Sequence, residues 1–262
     1  MNYLFTICGR AGSKGLANKN LKNFLDVPLV YLTLAAIKMT LDKLDNKDSV
    51  FKVVINTDSK ELIDLATSQR MIEVFPIVRN EELSGDRVAK VSVINNCLEV
   101  AESAFGLKFD LIIDLDITSP LRTVNDVLLA IEKKQSRSDT DVVYSVTHAR
   151  RNPYFNMAIK NKENGFFEKA IKSNYISRQE TPEIFDMNAS IYVYNPTSVR
   201  NKDHSTFFNT GSDAIVMKDT GVIDIDCNED LELMQVIAKY YFYTNYKEYK
   251  EIYDCAKIMF LS

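Results

Sequence analysis

An α/β fold built on a mostly parallel sheet follows from three features of the sequence. Apolar runs of strand character alternate with segments of helical period, the order in which helices stack on a sheet. The run FDLIIDLDI (109 to 117) is almost continuously apolar, as a central strand covered on both faces must be. Directly after the first apolar run comes GRAGSKGLANKN (9 to 20), with glycines among basic and amide residues and no carboxylate, at the end of a strand where such folds bind ligands.

The elements follow in order. YLFTIC (3 to 8) is the first strand. A helix begins at about Pro28, because Val30, Leu34, Ile37, Leu41 and Leu44 make one apolar stripe at three- and four-residue spacing. FKVVINTD (51 to 58) is the second strand, and SKELIDLATSQR after it opens on a serine with an acidic first turn, as a helix should. EVFPIV is a short third strand, and Val91, Ile94, Leu98, Ala101 and Phe105 mark the next helix. FDLIIDLDI and DVVYSVT (141 to 147) close this series. From about Arg150 to residue 185, Asn-Pro, Asn-Gly and Thr-Pro steps interrupt short apolar pieces, which predicts hairpins or an excursion instead of another strand-helix unit. ASIYVYN, DAIVM and VIDID return as strands, and Leu231, Met234, Ala238 and Tyr241 mark a last helix. The chain reads as a single domain over residues 1–262 with an inserted arm at about 150–187.

Composition excludes several classes. The 32 basic side chains against 36 acidic ones leave a net charge of −4, so no global positive field exists to hold nucleic acid or an anionic membrane. Cys8, Cys97, Cys227 and Cys255 are scattered, which fits reduced thiols and a cytoplasmic location, and His148 and His204 are too few for a Cys/His zinc site. No apolar stretch reaches the ~18 residues of a membrane span, and the first residues lack a signal-peptide pattern.

In the opening loop, Gly9, Gly12 and Gly15 let backbone amides approach oxygen atoms, while Arg10 and Lys14 supply charge-assisted hydrogen bonds. The spacing matches neither a Walker loop nor a dinucleotide fingerprint. A solvated basic connector is the competing reading. Near the end of the chain, Asp224 and Asp226 flank Ile225, so an extended backbone points both carboxylates to one face, an arrangement suited to Mg²⁺. Asp226 with Glu229 also reads as the capping pair of the last helix. Asp116, at the end of a buried strand, needs a metal, ligand or partner.

Taken in order, GRAGSKGLANKN, TSPLR (118 to 122), DMNASIYVY (186 to 194) and DIDCNEDLEL (224 to 233) resemble the acylneuraminate cytidylyltransferases, the CMP-sialic acid synthetases, over most of the chain. The resemblance implies a Rossmann-like, three-layer nucleotidyltransferase fold of GT-A-like type, with a small insertion or dimerisation arm. It implies a reaction in which a 2-keto-3-deoxy sugar acid attacks the α-phosphate of CTP through its anomeric hydroxyl and pyrophosphate leaves. A divalent metal, Mg²⁺ or Mn²⁺, is implied on Asp224 and Asp226, with a homodimer as the assembly.

By the same resemblance, Arg10, Gly12, Ser13, Lys14 and Asn20 contact the nucleotide, and Lys14, Arg10 and Asp226 carry the catalytic charge. Arg79 sits where the family has another CTP-contacting arginine; a surface arginine before a helix is the alternative. Lys90 stands in place of a CTP-contacting serine. The sugar side is matched by Asp116, Arg178, Asn188, Tyr192, Phe207 and Phe208, the two phenylalanines arriving from a neighbouring subunit, although such a pair is more often core. Arg122 either serves the motif or holds a carboxylate inside the protein, and Arg178 either holds the sugar carboxylate or solvates the arm. Asp116 replaces a glutamine and Asp186 an arginine of the sialic acid enzymes, and the chain most resembles the branch that activates legionaminic acid for surface glycans or flagellin. The same transfer to N-acetylneuraminic, pseudaminic or an octulosonic acid is the alternative. A nucleotide-binding protein without turnover is the alternative of another class.

Overall fold

Successive residues of the first strand part to opposite sides: Tyr3, Phe5 and Ile7 enter one apolar core and Leu4 enters another. The computed structural model describes every residue except 13–14, 45–47, 86, 210, 219–223 and 245. Its strands are β1 (Asn2–Cys8), β2 (Asn23–Phe24), β3 (Val27–Pro28), β4 (Val50–Thr57), β5 (Phe75–Val78), β6 (Leu111–Leu115), β7 (Val142–His148), β8 (Ala158–Lys160), β9 (Phe167–Lys169), β10 (Phe185–Tyr194) and β11 (Ser212–Val216). Its helices are α1 (Leu29–Leu44), α2 (Lys60–Ser68), α3 (Lys90–Phe105), α4 (Val124–Ser136), α5 (Pro196–Asn201), α6 (Asn228–Phe242) and α7 (Lys247–Leu261).

Seven strands form the main sheet in the order β11-β7-β10-β6-β1-β4-β5. All neighbours run parallel except β10, which is antiparallel to both β6 and β7. Buried residues of α1, α2, α4, α6 and α7 share the core of Phe5 and Ile113, while α3 and α5 share that of Leu4 and Ile112. The sheet is therefore the middle of three layers, the Rossmann-like α/β arrangement. Each fully buried leucine or isoleucine in these layers contributes about 1.5–3 kcal/mol of transfer free energy.

Several sequence expectations are corrected. The helix marked by Leu231 is not the last: α7 follows, burying Tyr249, Ile252, Ala256 and Met259 at three- and four-residue spacing. Between residues 117 and 141 lies α4, opened by a capping box in which Thr123 and Asp126 bond each other's backbone N–H. Of VIDID, residues 224–226 belong to no strand and 222–223 lie outside the described residues. In the arm region, β8 and β9 form a separate antiparallel hairpin. Its turn is set by Asn161, whose Oδ1 accepts from the Glu163 N–H at 2.9 Å, and by Gly165 at φ +75°. Among the described residues, no helix is long and apolar enough to cross a membrane.

Candidate active site

Strands β1 and β6 lie side by side, and the chain leaves β1 toward β4 on the opposite side, so a crevice opens at their carboxyl ends. A cleft of about 340 Å³ occupies that place. One wall is the glycine loop with Cys8, Gly9, Arg10 and Gly15, followed by Lys19 and Asn20; the other is Asp116, Thr118, Asp224 and Asp226.

The loop is held from outside. The Gly9 N–H donates to the Asn56 carbonyl at 3.2 Å, the Ala11 N–H to Asp58 Oδ1 at 2.6 Å, and Asn20 Nδ2 to the Arg10 carbonyl at 3.1 Å. Asn20 thus fixes the loop's shape. Gly12 has φ +74°, a conformation that favours glycine. Gly15 is required by contact, since a Cβ there would stand 2.3 Å from the Asp226 carbonyl oxygen. Gly15→Ala is therefore expected to push the loop away from the Asp226 segment and lower kcat/KM by about 100-fold, as an ångström-scale misplacement does. Steady-state kinetics with circular dichroism as a fold control checks this; wild-type kinetics would show that the two segments need not touch. Ser13 and Lys14, both expected on the nucleotide, lie outside the described residues.

Arg79 is buried, not a surface residue: its Nε donates to Asn56 Oδ1 at 2.7 Å and its Nη2 to the Asn56 carbonyl at 2.8 Å. Among the described residues no carboxylate lies within ion-pair distance of it. A buried guanidinium behind the loop supplies positive potential toward the cleft.

The opposite wall is a network of charge. Asp114 is 1% exposed; Thr6 Oγ1 donates to its Oδ1 at 2.7 Å. Its Oδ2 meets Lys90 Nζ at 2.9 Å as an ion pair whose angles fall short of a hydrogen bond. Lys90 Nζ also donates to Asp116 Oδ2 at 3.2 Å and lies 4.3 Å from the centroid of the Tyr192 ring. Burial works against the Lys90 ammonium, but Asp114 and Asp116 hold its proton, so its pKa stands well above the usual lysine value. Burial likewise opposes the Asp116 carboxylate, and Lys90 and the Thr118 hydrogen bonds outweigh it, so that pKa is lowered. The expectation that Lys90 spends its charge on the nucleotide is corrected in this state: its ammonium is committed to two carboxylates.

Asp224 differs from Asp116. Burial, then the like charge of Asp116, raise its pKa. The Thr118 hydroxyl oxygen lies 2.7 Å from Asp116 Oδ1 and 2.6 Å from Asp224 Oδ1. A hydroxyl has one proton, so one of these contacts needs a proton on the carboxyl, or a cation in its place. Asp226 is an exposed carboxylate paired with Lys19 Nζ at 2.9 Å. The reading of Asp226 with Glu229 as a helix cap is corrected, because the cap is Cys227, and Asp230 Oδ2 accepts from the Cys227 N–H at 2.9 Å.

Among the described residues, Arg122 holds no carboxylate directly. Its Nε donates to the Ser119 carbonyl at 3.1 Å and its Nη2 to the carbonyls of Asp116 and Ser119, so it shapes the TSPLR turn. Burial lowers its pKa to about 10, with Asp116 and Asp114 the strongest opposing influences.

The other sequence-selected residues are distributed unevenly. Tyr192 stacks on Tyr194 with centroids 5.8 Å apart, and Phe208 lies 5.9 Å from Tyr192, behind the acidic wall. Phe207, at 2% exposure, is core of this chain beneath Tyr194, which leaves no ring face for a ligand. Arg178 is not brought to the cleft: its Nη2 donates to the Ala149 carbonyl at 2.7 Å, beside a different cavity of about 240 Å³ near His148 and Arg151. Asn188 lines a smaller cavity next to the cleft. Asp186 is paired in the sheet opposite Thr147. Asp114 and Lys19 were not selected from the sequence. Asp114 was legible in LIIDLD, where two aspartates two residues apart share one face of a strand, and Lys19 lies within the basic stretch 9 to 20 already singled out.

A carboxylate-free glycine loop and a carboxylate wall face each other across the crevice of a Rossmann-like sheet, the arrangement of the nucleotidyltransferase class. The chain matches the Cytidylyltransferase family over residues 4–255 and belongs to that family, so it is a CTP-dependent nucleotidyltransferase. It is 33% identical over 237 residues to the post-translational flagellin modification protein B of Campylobacter coli, covering 90% of this chain and 94% of that one. It is 33% identical over 235 residues to the CMP-N,N′-diacetyllegionaminic acid synthase of Campylobacter jejuni subsp. jejuni, covering 89% of this chain and 94% of the relative. In fold it is similar to a CMP:2-keto-3-deoxy-manno-octonic acid synthetase complexed with CTP, with TM-score 0.61 at 15% identity over 92% of this chain and 99% of that one.

Proposed function

We propose that the protein transfers CMP from CTP to the anomeric hydroxyl of a nine-carbon 2-keto-3-deoxy sugar acid, with N,N′-diacetyllegionaminic acid as the acceptor. The observation that carries the reading is the cleft, where a carboxylate-free glycine loop faces Asp116, Asp224 and Asp226. The 33% identity to an enzyme named for that acceptor supports the choice of sugar, and the flagellin modification relative supports a role in surface glycosylation.

In the reaction the anomeric oxygen forms a bond to the α-phosphorus, the bond from that phosphorus to the bridging oxygen breaks, and pyrophosphate departs. The hydroxyl proton is lost to water. Such transfers need positioning and charge stabilisation more than covalent help. Arg10 and Lys14 bind the phosphates, with Gly12 and Ser13 as further nucleotide contacts. Arg79 adds potential from behind, and Asn20 holds the loop. Lys90 fixes Asp116 and covers Tyr192, which keeps the wall rigid.

The carboxylates fit a hard divalent cation, Mg²⁺ or Mn²⁺. Among the described residues no three His, Cys, Asp or Glu side chains form a closed metal cage. Mg²⁺ suits this site because it takes one or two carboxylates and completes its shell with water and substrate phosphate. Asp224 and Asp226 would hold it, and the ion would neutralise charge on the triphosphate. We also propose a homodimer formed through the arm, supported by the exposed apolar side chains Ile159, Phe166, Phe167 and Ile176.

The test is pyrophosphate release with CTP and Mg²⁺ against N,N′-diacetyllegionaminic, N-acetylneuraminic and pseudaminic acids, with ATP, GTP and UTP as controls. Fast release only with CTP and the legionaminic acid is expected. A tenfold or greater preference for N-acetylneuraminic acid would overturn the acceptor and leave the chemistry standing.

A further inference from the structure

The chain between the glycine loop and α1 is fastened to α6 and its lead-in at both ends. At the near end, a Cβ on Gly15 would stand 2.3 Å from the Asp226 carbonyl oxygen, and Lys19 Nζ pairs with the Asp226 carboxylate at 2.9 Å. At the far end, the Leu25 N–H donates to Gln235 Oε1 at 2.8 Å. Asp226 stands just before the Cys227 cap of α6, and Gln235 lies about 10 Å along that helix at 1.5 Å per residue. One rigid element therefore carries both attachment points.

The far attachment holds a turn that its own sequence does not favour. Leu25 and Asp26 are the two loop residues of the hairpin β2–β3, in which Asn23 pairs with Pro28 and Phe24 with Val27. Leu25 takes φ +58°, where a two-residue hairpin calls for glycine or asparagine. Two residues per strand give little ladder to hold such a turn. The neighbouring helices supply the rest. Gln235 of α6 takes the Leu25 amide, the Leu25 side chain packs on the core, and from α7 both Tyr253 Oη and Lys257 Nζ donate to the Asp26 carboxylate. A leucine kept in the left-handed region by bonds from outside is backbone strain stored beside the cleft.

We propose that Gln235 is a positioning residue for CTP, acting through the Leu25 amide to set the distance between the nucleotide loop and Asp226. The proposal rests on the reading of this loop as the nucleotide site. Gln235 is not among the residues lining the cleft, and its effect travels through backbone bonds. The hairpin it holds runs into Leu29, whose N–H donates to the Lys22 carbonyl at 2.9 Å, and the Lys22 N–H donates to the Lys19 carbonyl at 3.1 Å. Lys19 and Asn20 line the cleft, and Asn20 in turn holds the Arg10 carbonyl. Of the two attachments, the near one uses Asp226, the carboxylate proposed above for the cation, so Lys19 gives it up when the site is loaded. The far one makes no use of Asp226 and keeps the loop in place throughout.

The test uses Gln235→Met and Gln235→Ala, which lack the acceptor oxygen and suit a helix, and Gln235→Glu, which restores an acceptor. Pyrophosphate release is measured over CTP concentration at saturating Mg²⁺ and acceptor acid, thermal unfolding is recorded alongside, and backbone hydrogen exchange is followed in the free proteins. KM for CTP is expected to rise about tenfold in the methionine and alanine variants with kcat little changed, the scale of one hydrogen bond, and to return to near the wild-type value in the glutamate variant. Amides of residues 9–12 and 19–25 should exchange faster in the first two variants, while those of β1 and β4 stay protected. A structural role alone would lower the Tm and the active fraction, hence kcat, and leave KM for CTP in place; that result overturns the proposal, as does a glutamate variant that behaves like the alanine one. If wild type turns over none of the acids, the acceptor reading has failed, and calorimetric Kd for CTP takes the place of KM with the same two outcomes. If wild type binds no CTP, the nucleotide-site reading has failed and exchange decides: faster exchange confined to the loop upholds the positioning by Gln235, and unchanged exchange overturns it.

Discussion

Lys90→Met is expected to destabilise the fold by about 3–5 kcal/mol at neutral pH, the cost of leaving buried charge without its partner. Asp114 is almost wholly buried, and apart from Lys90 its polar side-chain contact among the described residues is one threonine hydroxyl. The raised pKa of Lys90 means its contribution is present below the usual lysine value and lost as pH rises through the folded-state value. The lowered pKa of Asp116 means its contribution is present above the usual carboxylate value and lost as pH falls through the folded-state value. The network therefore stabilises across neutral pH. The deficit of the methionine variant should shrink as pH falls through the folded-state value of Asp116, because the wild type loses that carboxylate's pairing with Lys90 there. Urea unfolding at a series of pH values measures this, and adding Asp114→Leu should restore most of the loss. A pH-independent deficit, or none, would mean that the lysine is not the counter-ion of the pair.

Asp226→Ala is expected to lower kcat by about 1,000-fold with the fold intact, the scale of removing one preorganised charge-stabilising group. The fold should survive because the Asp226 side chain is exposed and pairs only with Lys19 among the described residues. Turnover measured over a Mg²⁺ titration, with circular dichroism in parallel, makes the check. Full activity in the alanine variant would remove Asp226 from the mechanism and leave Asp224 alone on the metal side. The same titration on Lys19→Ala separates the two uses of Asp226, since that lysine would compete with the proposed cation for the same carboxylate.

Strand-helix alternation was legible from residue 3 to residue 117 because parallel strands buried on both faces must be apolar and amphipathic helices must repeat at their own period. Helix α7 was missed although Tyr249, Ile252, Ala256 and Met259 keep that period, because lysines and acidic residues between them dilute the stripe. Helix α4 was passed over beside the more conspicuous TSPLR turn. The antiparallel direction of β10 has no signature in ASIYVY, since a strand's residues read the same whichever way its neighbours run.

By itself the sequence determined the α/β layering, the carboxylate-free glycine loop after the first strand, and the pair of aspartates flanking Ile225. These depend on local composition and period. Tertiary structure alone decided that Gly15 touches the Asp226 backbone across more than 200 residues of chain, that Lys90 faces two carboxylates instead of solvent, and that Arg178 stands at another cavity. It also decided that the Leu25 amide meets Gln235 of α6. Charge pairing and close approach are set by which strand ends become neighbours in the sheet, and that order is fixed by packing between segments distant in the chain.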